Sequence, residues 1–221
     1  MTRYARWLWL LLPLAITLGF EPLVVGLLGA WQQLRGGLDP GLYFYLPFLS
    51  ALPPALLLLL AWQRRRRDLG PRLPWTDHAG LAADIRWGLM AGLACLAVFV
   101  GSLQLLKLVG VAGPDFTRLQ TAHHIYFSTL GALLPAVAEE LYFRGFLAER
   151  FRDLQPALRI GLISASFSLW HVQSPSYLLH TFLIGLILGL LVLRRGRLLP
   201  AMLAHGLANM AAGLLIVWGW A

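Results

Sequence analysis

The stretch GALLPAVAEELYFR at residues 131–144 places two adjacent glutamates, Glu139 and Glu140, inside an apolar run of membrane length. Taking a carboxylate into hydrocarbon costs several kcal/mol, and acids within membrane spans are rare and face the interior of a helix bundle. Such a residue is by default a hypothesis of function. The partners of these carboxylates are expected among the polar side chains of other apolar segments.

The composition is typical of a membrane protein. Of 221 residues, 58% are hydrophobic and 13% are charged, and the mean hydropathy is +0.69, far from the values of soluble domains. The net charge is +8, but the arginines form short clusters between apolar runs, as charges flanking membrane helices do, so no nucleic-acid partner is expected. The single cysteine, Cys95, excludes an intrachain disulfide and a multi-cysteine metal site.

The hydropathy pattern predicts an all-α, polytopic transmembrane helix bundle. Because about 20 apolar residues cross a bilayer, we expect about seven spans, at residues 7–31, 41–62, 84–110, 122–147, 158–177, 176–193 and 198–220. The arginine clusters all fall on one side of this bundle, so the positive-inside rule predicts a cytoplasmic N-terminus. Together with the short loops, this favours a multi-pass protein of a bacterial inner membrane.

Three of the predicted spans carry polar residues in motifs with a spacing of four: Glu140 and Arg144 (with Glu139 beside them), His171 four residues after Phe167, and His205 and Asn209. Residues four apart share a helix face, and an acid that precedes a base at this spacing pairs with it. Glu140 is therefore predicted to pair with Arg144 as structural support. Glu139 is rotated by about 100° and is left to face a cavity.

The same side chains lie at a common depth. Counted from the cytoplasmic helix ends, Glu139, His171, His205 and Asn209 lie roughly 12–20 Å into the membrane. Polar residues without a shared role would not be expected at one depth, so the common depth indicates a single site. Each motif taken alone could also have a purely structural role. Glu139 and Glu140 could form an ion-pair cluster, and His171 and Asn209 could form hydrogen bonds between helices.

The three motifs resemble those of the CPBP family of intramembrane proteases, which includes CAAX proteases and bacteriocin-processing, Abi-type proteins. The likeness covers roughly residues 80 to 220, and every motif position agrees. It implies that Glu139 and His171 activate a water that attacks a peptide carbonyl, while His205 and Asn209 stabilise the oxyanion. It also implies a protease core at 80–221, preceded at 1–79 by N-terminal transmembrane helices and a basic cytoplasmic loop.

The resemblance predicts an endopeptidase that cuts a membrane-anchored, lipid-modified or C-terminal-signal-bearing substrate. The alternative is a non-catalytic immunity or scaffold protein that retains the fold. A proton-coupled transporter would also carry acids and histidines in mid-membrane, but the sequence has no evident inverted repeat.

The sequence leaves the role of a metal open. Glu139, His171 and His205 could form a zinc site of His₂Glu type. The His-Glu-x-x-His motif is missing from the sequence, and the family has been described both as metalloproteases and as glutamate proteases. We expect no obligatory cofactor, with zinc as the alternative.

Overall fold

The computed structural model describes residues 5–15, 80–110, 128–171 and 175–217, with a few isolated positions between 18 and 30. These parts of the chain are helical and contain no strand, so the predicted all-α class is confirmed for them. The predicted span 41–62 and the basic loop after it lie outside the described residues. The count of about seven spans and the orientation of the N-terminus stay predictions.

The described chain forms α1 (Ala5–Ala15), α2 (Leu81–Leu108), α3 (Leu130–Glu140), a π-helix (Leu141–Leu147), α4 (Ala148–Arg150), α5 (Pro156–Trp170), α6 (Pro175–Arg195) and α7 (Leu199–Val217). Two helical segments are long and apolar enough to cross a membrane, α2 and the part of α6 from Tyr177 to Arg195. A shorter apolar helix runs from Leu199 to Leu215 within α7.

Helix α5 ends earlier than the sequence predicts. The predicted span continued to residue 177, whereas the helix ends at Trp170 after 15 residues, a length of about 22 Å. A proline disfavours helical geometry in the residue before it, and Pro175 opens the next helix. His171 therefore lies just beyond the end of α5 and not within a continuous span.

Small residues allow the helices around the glutamates to approach closely. Helix α7 packs against α2, α3 and α6, and α5 packs against α6. At the α2–α7 contact, a Cβ on Gly88 would lie 2.9 Å from Cβ of Leu203, and at the α5–α6 contact a Cβ on Gly185 would lie 2.9 Å from Cβ of Ser164. Close backbone approach at small residues is the usual packing of membrane helices. It fixes α5, α6 and α7 around the segment that follows Glu140.

The segment from α3 to α4 changes its winding at the glutamates. Pro135 lies inside α3, and the π-helix begins directly after Glu140 with all seven of its residues buried. A π-helical turn is rare and is often found at functional sites. The wider turn changes the directions in which side chains after Glu140 point, which simple α-helical spacing does not anticipate.

A buried carboxylate joins the ends of three helices. Asp84, fully buried near the start of α2, accepts hydrogen bonds from Arg195 at 2.9 and 3.2 Å and also pairs with Arg197. The two arginines lie at the end of α6 and just before α7. They therefore do more than mark the side of the membrane: with Asp84 they connect α2 to the α6–α7 turn. Removal of Asp84, or of both arginines, would leave an uncompensated buried charge.

Candidate active site

Glu140 is the centre of a buried hydrogen-bond network. Its side chain has no exposure, and its Oε1 accepts a hydrogen bond from Nη1 of Arg144 at 2.9 Å. The same oxygen lies 2.9 Å from Nδ1 of His205 on α7. The pairing with Arg144 agrees with the interpretation of the sequence. The contact with His205 adds a second partner, which crosses between helices.

Arg144 is held by three kinds of contact. In addition to Glu140, it donates from Nη2 to the carbonyl oxygen of Gly185 at 3.2 Å. Its guanidinium carbon lies 4.5 Å from the ring centre of Phe167 and 5.8 Å from that of Phe143, within reach of a cation–π interaction. Arg144 thus fixes the π-helix against α5 and α6 and holds the carboxylate of Glu140 in place.

His205 lies between the two glutamates. Its Nδ1 faces Glu140, and its Nε2 lies 3.9 Å from Oε2 of Glu139. The carboxylate of Glu140 is paired with Arg144, and an ionised carboxylate only accepts hydrogen bonds. Nδ1 of His205 therefore carries the proton and donates it to Oε1 of Glu140. The other ring nitrogen of His205 is then directed toward Glu139.

Glu139 is buried but more loosely held than Glu140. Its Oε2 has no hydrogen-bond partner among the residues that the structure describes, and the 3.9 Å separation from His205 is too long for a direct hydrogen bond. A polar separation of this size is suited to a bridging water molecule. Of the two carboxylates, Glu139 is thus the one available to another molecule.

The backbone fixes the tautomer of His171. Its Nδ1 lies 2.9 Å from the carbonyl oxygen of Phe167. A carbonyl only accepts, so Nδ1 carries the proton and Nε2 carries the lone pair in the neutral ring. The Phe167 ring packs edge-on against His171 at 5.0 Å and against His205 at 5.6 Å. Phe167 therefore connects the two histidines by packing.

Asn209 lies one helical turn after His205. Its Nδ2 donates to the carbonyl oxygen of Ala132 on α3 at 3.3 Å, which is the kind of bond that ties membrane helices together. An amide nitrogen carries two protons, so this bond leaves a second donor. The side chain can serve packing and a ligand at the same time.

Glu139 and His171, the predicted water-activating pair, make no direct contact in the described part of the chain. They are linked through Phe167 and His205 instead. The three sequence motifs do not include His180, which is buried on α6 with its ring edge-on to Phe99 and Tyr177. A histidine in an apolar span is a signal that could have found it.

The proposed zinc ligands do not form a ligand cluster as they stand. Ligands of a tetrahedral zinc lie about 3.4 Å from each other, and Nε2 of His205 and Oε2 of Glu139 are 3.9 Å apart. The bond from Nδ1 of His171 to a backbone carbonyl leaves its Nε2 available, as in many metal-binding histidines. No group of three His, Cys, Asp or Glu side chains suited to a metal is found among the described residues. The need for a metal in catalysis stays an open prediction.

Carboxylate, imidazole and guanidinium groups thus form a buried cluster inside a bundle of apolar helices. The family model described as "Type II CAAX prenyl endopeptidase Rce1-like" matches residues 121–211, a range that contains every residue of the three motifs. Residues 121–211 are therefore similar to the CAAX-type membrane endopeptidases of the CPBP family, and the predicted resemblance is confirmed over this range. No curated protein and no solved structure matches the chain.

Proposed function

We propose that this integral membrane protein is an endopeptidase that hydrolyses a peptide bond in a membrane-anchored, lipid-modified or C-terminal-signal-bearing substrate. The observation that carries the proposal is the asymmetry between the two glutamates. Oε2 has no hydrogen-bond partner in the described chain in either carboxylate, but Oε1 of Glu140 is bound by Arg144 and His205 at 2.9 Å each, whereas the side chain of Glu139 makes no hydrogen bond to any described residue. One carboxylate is thus held as support, and its neighbour is free to act on water.

In the proposed reaction, Glu139 is the general base. Its carboxylate takes a proton from a water molecule whose oxygen attacks the carbonyl carbon of the scissile peptide. His171, with its proton on Nδ1, orients this water by accepting a hydrogen bond at Nε2. The protonated Glu139 then gives its proton to the leaving amine as the carbon–nitrogen bond breaks, so one water is consumed for each bond cut.

His205 and Asn209 are proposed to stabilise the oxyanion. The free proton of the Asn209 amide can donate directly. His205 can donate from Nε2 only as an imidazolium, because its Nδ1 proton is directed to Glu140. The carboxylate of Glu140 is the group that would balance this charge, so its bond to His205 supports the assigned role. Donors of this kind are strengthened by the low dielectric of a dry site.

Asn209→Ala is expected to lower kcat by about 10²–10³-fold, as removal of an oxyanion donor does elsewhere, with little change in KM. If Asn209 only ties α7 to Ala132, the variant would instead lose about 0.6 kcal/mol of unfolding free energy and keep its rate. Steady-state kinetics and unfolding measured on the same preparation separate the two roles. Gln104→Ala, which removes an amide from an exposed position of α2, is the control.

We propose that the reaction needs no obligatory metal. Activity of the purified chain should survive prolonged chelation and dialysis, because the base and the water-orienting group are supplied by Glu139 and His171. Loss of activity on chelation that zinc restores would contradict this assignment. A parallel zinc-dependent protease in the same buffer is the control for the chelator.

We further propose a chain of about seven spans in a bacterial inner membrane, with a cytoplasmic N-terminus. Residues 1–79 would supply transmembrane helices and a basic loop, and residues 80–221 the protease core. The arginines near the ends of α4, α5 and α6 support this orientation, since loops rich in arginine stay on the cytoplasmic side.

The enzyme is distinguished from a non-catalytic scaffold by a direct assay. The purified chain in phosphatidylcholine vesicles is incubated with a mixture of lipidated and unlipidated peptides, and new peptide termini are identified by mass spectrometry. An endopeptidase produces termini that are absent with Glu139→Gln. A scaffold or immunity protein produces the same peptides with both forms, and that result would reject the proposed activity.

A further inference from the structure

A cavity of about 320 Å³ lies between the π-helix, α4, α5 and α6, and neither glutamate lines it. Three arginines line it: Arg144, Arg152 and Arg159. The proposed chemistry does not use this cavity. Its charge and its walls nevertheless indicate what it would hold.

Arg144 contributes a buried donor to the cavity. The residue is 2% exposed, and two of its nitrogens are used by Glu140 and the carbonyl of Gly185. Its Nε has no hydrogen-bond partner within the described ranges. A buried charged donor without an acceptor is costly. This nitrogen therefore indicates an acceptor that the described chain does not supply.

The remaining arginines add positive charge. Arg152 is paired with Glu149 at 3.0 Å, but its side chain is 55% exposed, so the pair is weakly held. Arg159 is half-buried in the first turn of α5 and forms no ion pair with any residue that the structure describes. With Arg144 balanced by Glu140 and Arg152 by Glu149, Arg159 leaves the cavity with a net positive charge.

The other walls are apolar. Ile160 and Ile163 of α5 and Val192 and Leu193 of α6 line the cavity, and Leu193 is 45% exposed. An exposed leucine on a membrane helix is suited to contact with lipid tails. A ligand can therefore place an apolar chain along these walls while its charged end faces the arginines. This combination describes an anionic amphiphile.

We propose that this cavity binds the headgroup of an anionic phospholipid, with the phosphate at the arginines and part of an acyl chain along Ile160 and Val192. The planar fork of arginine matches phosphate geometry, and basic pockets between membrane helices on the cytoplasmic side bind anionic headgroups. Because Arg144 also binds Glu140, the lipid contacts the support of the candidate active site. The lipid site does not depend on the proposed protease activity.

Lipid binding to the full-length protein tests the proposal without an activity assay. The detergent-solubilised protein is titrated with phosphatidylglycerol or phosphatidylcholine, and bound lipid is counted by native mass spectrometry. We expect selective retention of phosphatidylglycerol. Arg159→Gln should weaken it about fivefold, and Arg159→Glu about 25-fold, at roughly 1 kcal/mol per charge. Arg194→Gln, the same change at an exposed position outside the cavity, should leave binding unchanged.

Glu149→Gln gives a prediction of opposite sign, since it releases Arg152 and should tighten phosphatidylglycerol binding about fivefold. If Arg159→Gln and Arg194→Gln weaken phosphatidylglycerol binding equally, the binding depends only on general surface charge, and the proposal is overturned. Displacement of the lipid by a peptide with a free C-terminal carboxylate, but not by the amidated peptide, would make the cavity a peptide site and would also overturn it.

Discussion

Glu139→Gln is expected to lower the rate of peptide-bond hydrolysis by about 10²–10⁴-fold, the usual contribution of a general acid–base group. Glutamine keeps the volume and polarity of the side chain but cannot take a proton from water. Since Oε2 of Glu139 has no hydrogen-bond partner among the described residues, the change breaks no observed network. The variant should therefore fold and unfold like the wild type.

The measurement is kcat for Glu139→Gln on a cleaved peptide in vesicles, together with the unfolding midpoint of the same preparation. Asp153→Asn provides the matched control, because it removes a carboxylate from an exposed position between α4 and α5. The control should retain wild-type kcat. A Glu139→Gln enzyme with near-normal kcat would remove Glu139 from the chemistry.

The second large effect is expected at Glu140. Glu140→Ala leaves Arg144 and His205 buried without their shared acceptor, so the unfolding free energy should fall by about 3–5 kcal/mol. The double variant Glu140→Ala/Arg144→Ala removes both charges and should be less destabilised than the sum of the two single variants. Reversible unfolding in mixed detergent micelles measures all three.

Additive effects would show that the Glu140–Arg144 bond does not stabilise the fold. A different outcome would be more informative about the mechanism. If Glu140→Ala is fully stable but inactive, while Glu139→Gln is active, the two glutamates have the opposite roles. The pair of experiments therefore assigns each carboxylate independently.

The sequence predicted those contacts that depend on local spacing. Glu140 and Arg144 are four residues apart, and their bond forms at 2.9 Å, because one helical segment brings them together. Each family motif likewise consists of residues within a few positions of one another. Their presence was enough to anticipate the match to residues 121–211 and the all-helical class.

Contacts between distant helices could not be predicted in the same way. The bond from His205 to Glu140 joins residues 65 positions apart, and it depends on how α7 is rotated against α3. The π-helix from Leu141 to Leu147 has no sequence signal of its own, although it sets the winding of the buried segment that follows Glu140. Asp84 was not recognised because its partners, Arg195 and Arg197, resembled ordinary loop charges.

The end of α5 illustrates a third limit. The sequence predicted that this span meets the next one at a tight turn near Ser174, Pro175 and Ser176, and so placed its end near residue 177. The helix instead ends at Trp170, and the ring of His171, just beyond it, bonds the carbonyl oxygen of Phe167 at 2.9 Å. This local break sets the tautomer on which the proposed role of His171 depends.

The central claim, that Glu139 is the base of a membrane endopeptidase, is tested most directly in the cell. Membrane proteomes are compared between strains with the wild-type gene, a deletion and Glu139→Gln, and protein termini are mapped by mass spectrometry. The account predicts that the same precursors accumulate in the deletion and Glu139→Gln strains, while Asp153→Asn processes them normally. Wild-type processing in a Glu139→Gln strain that contains normal amounts of the protein would contradict it.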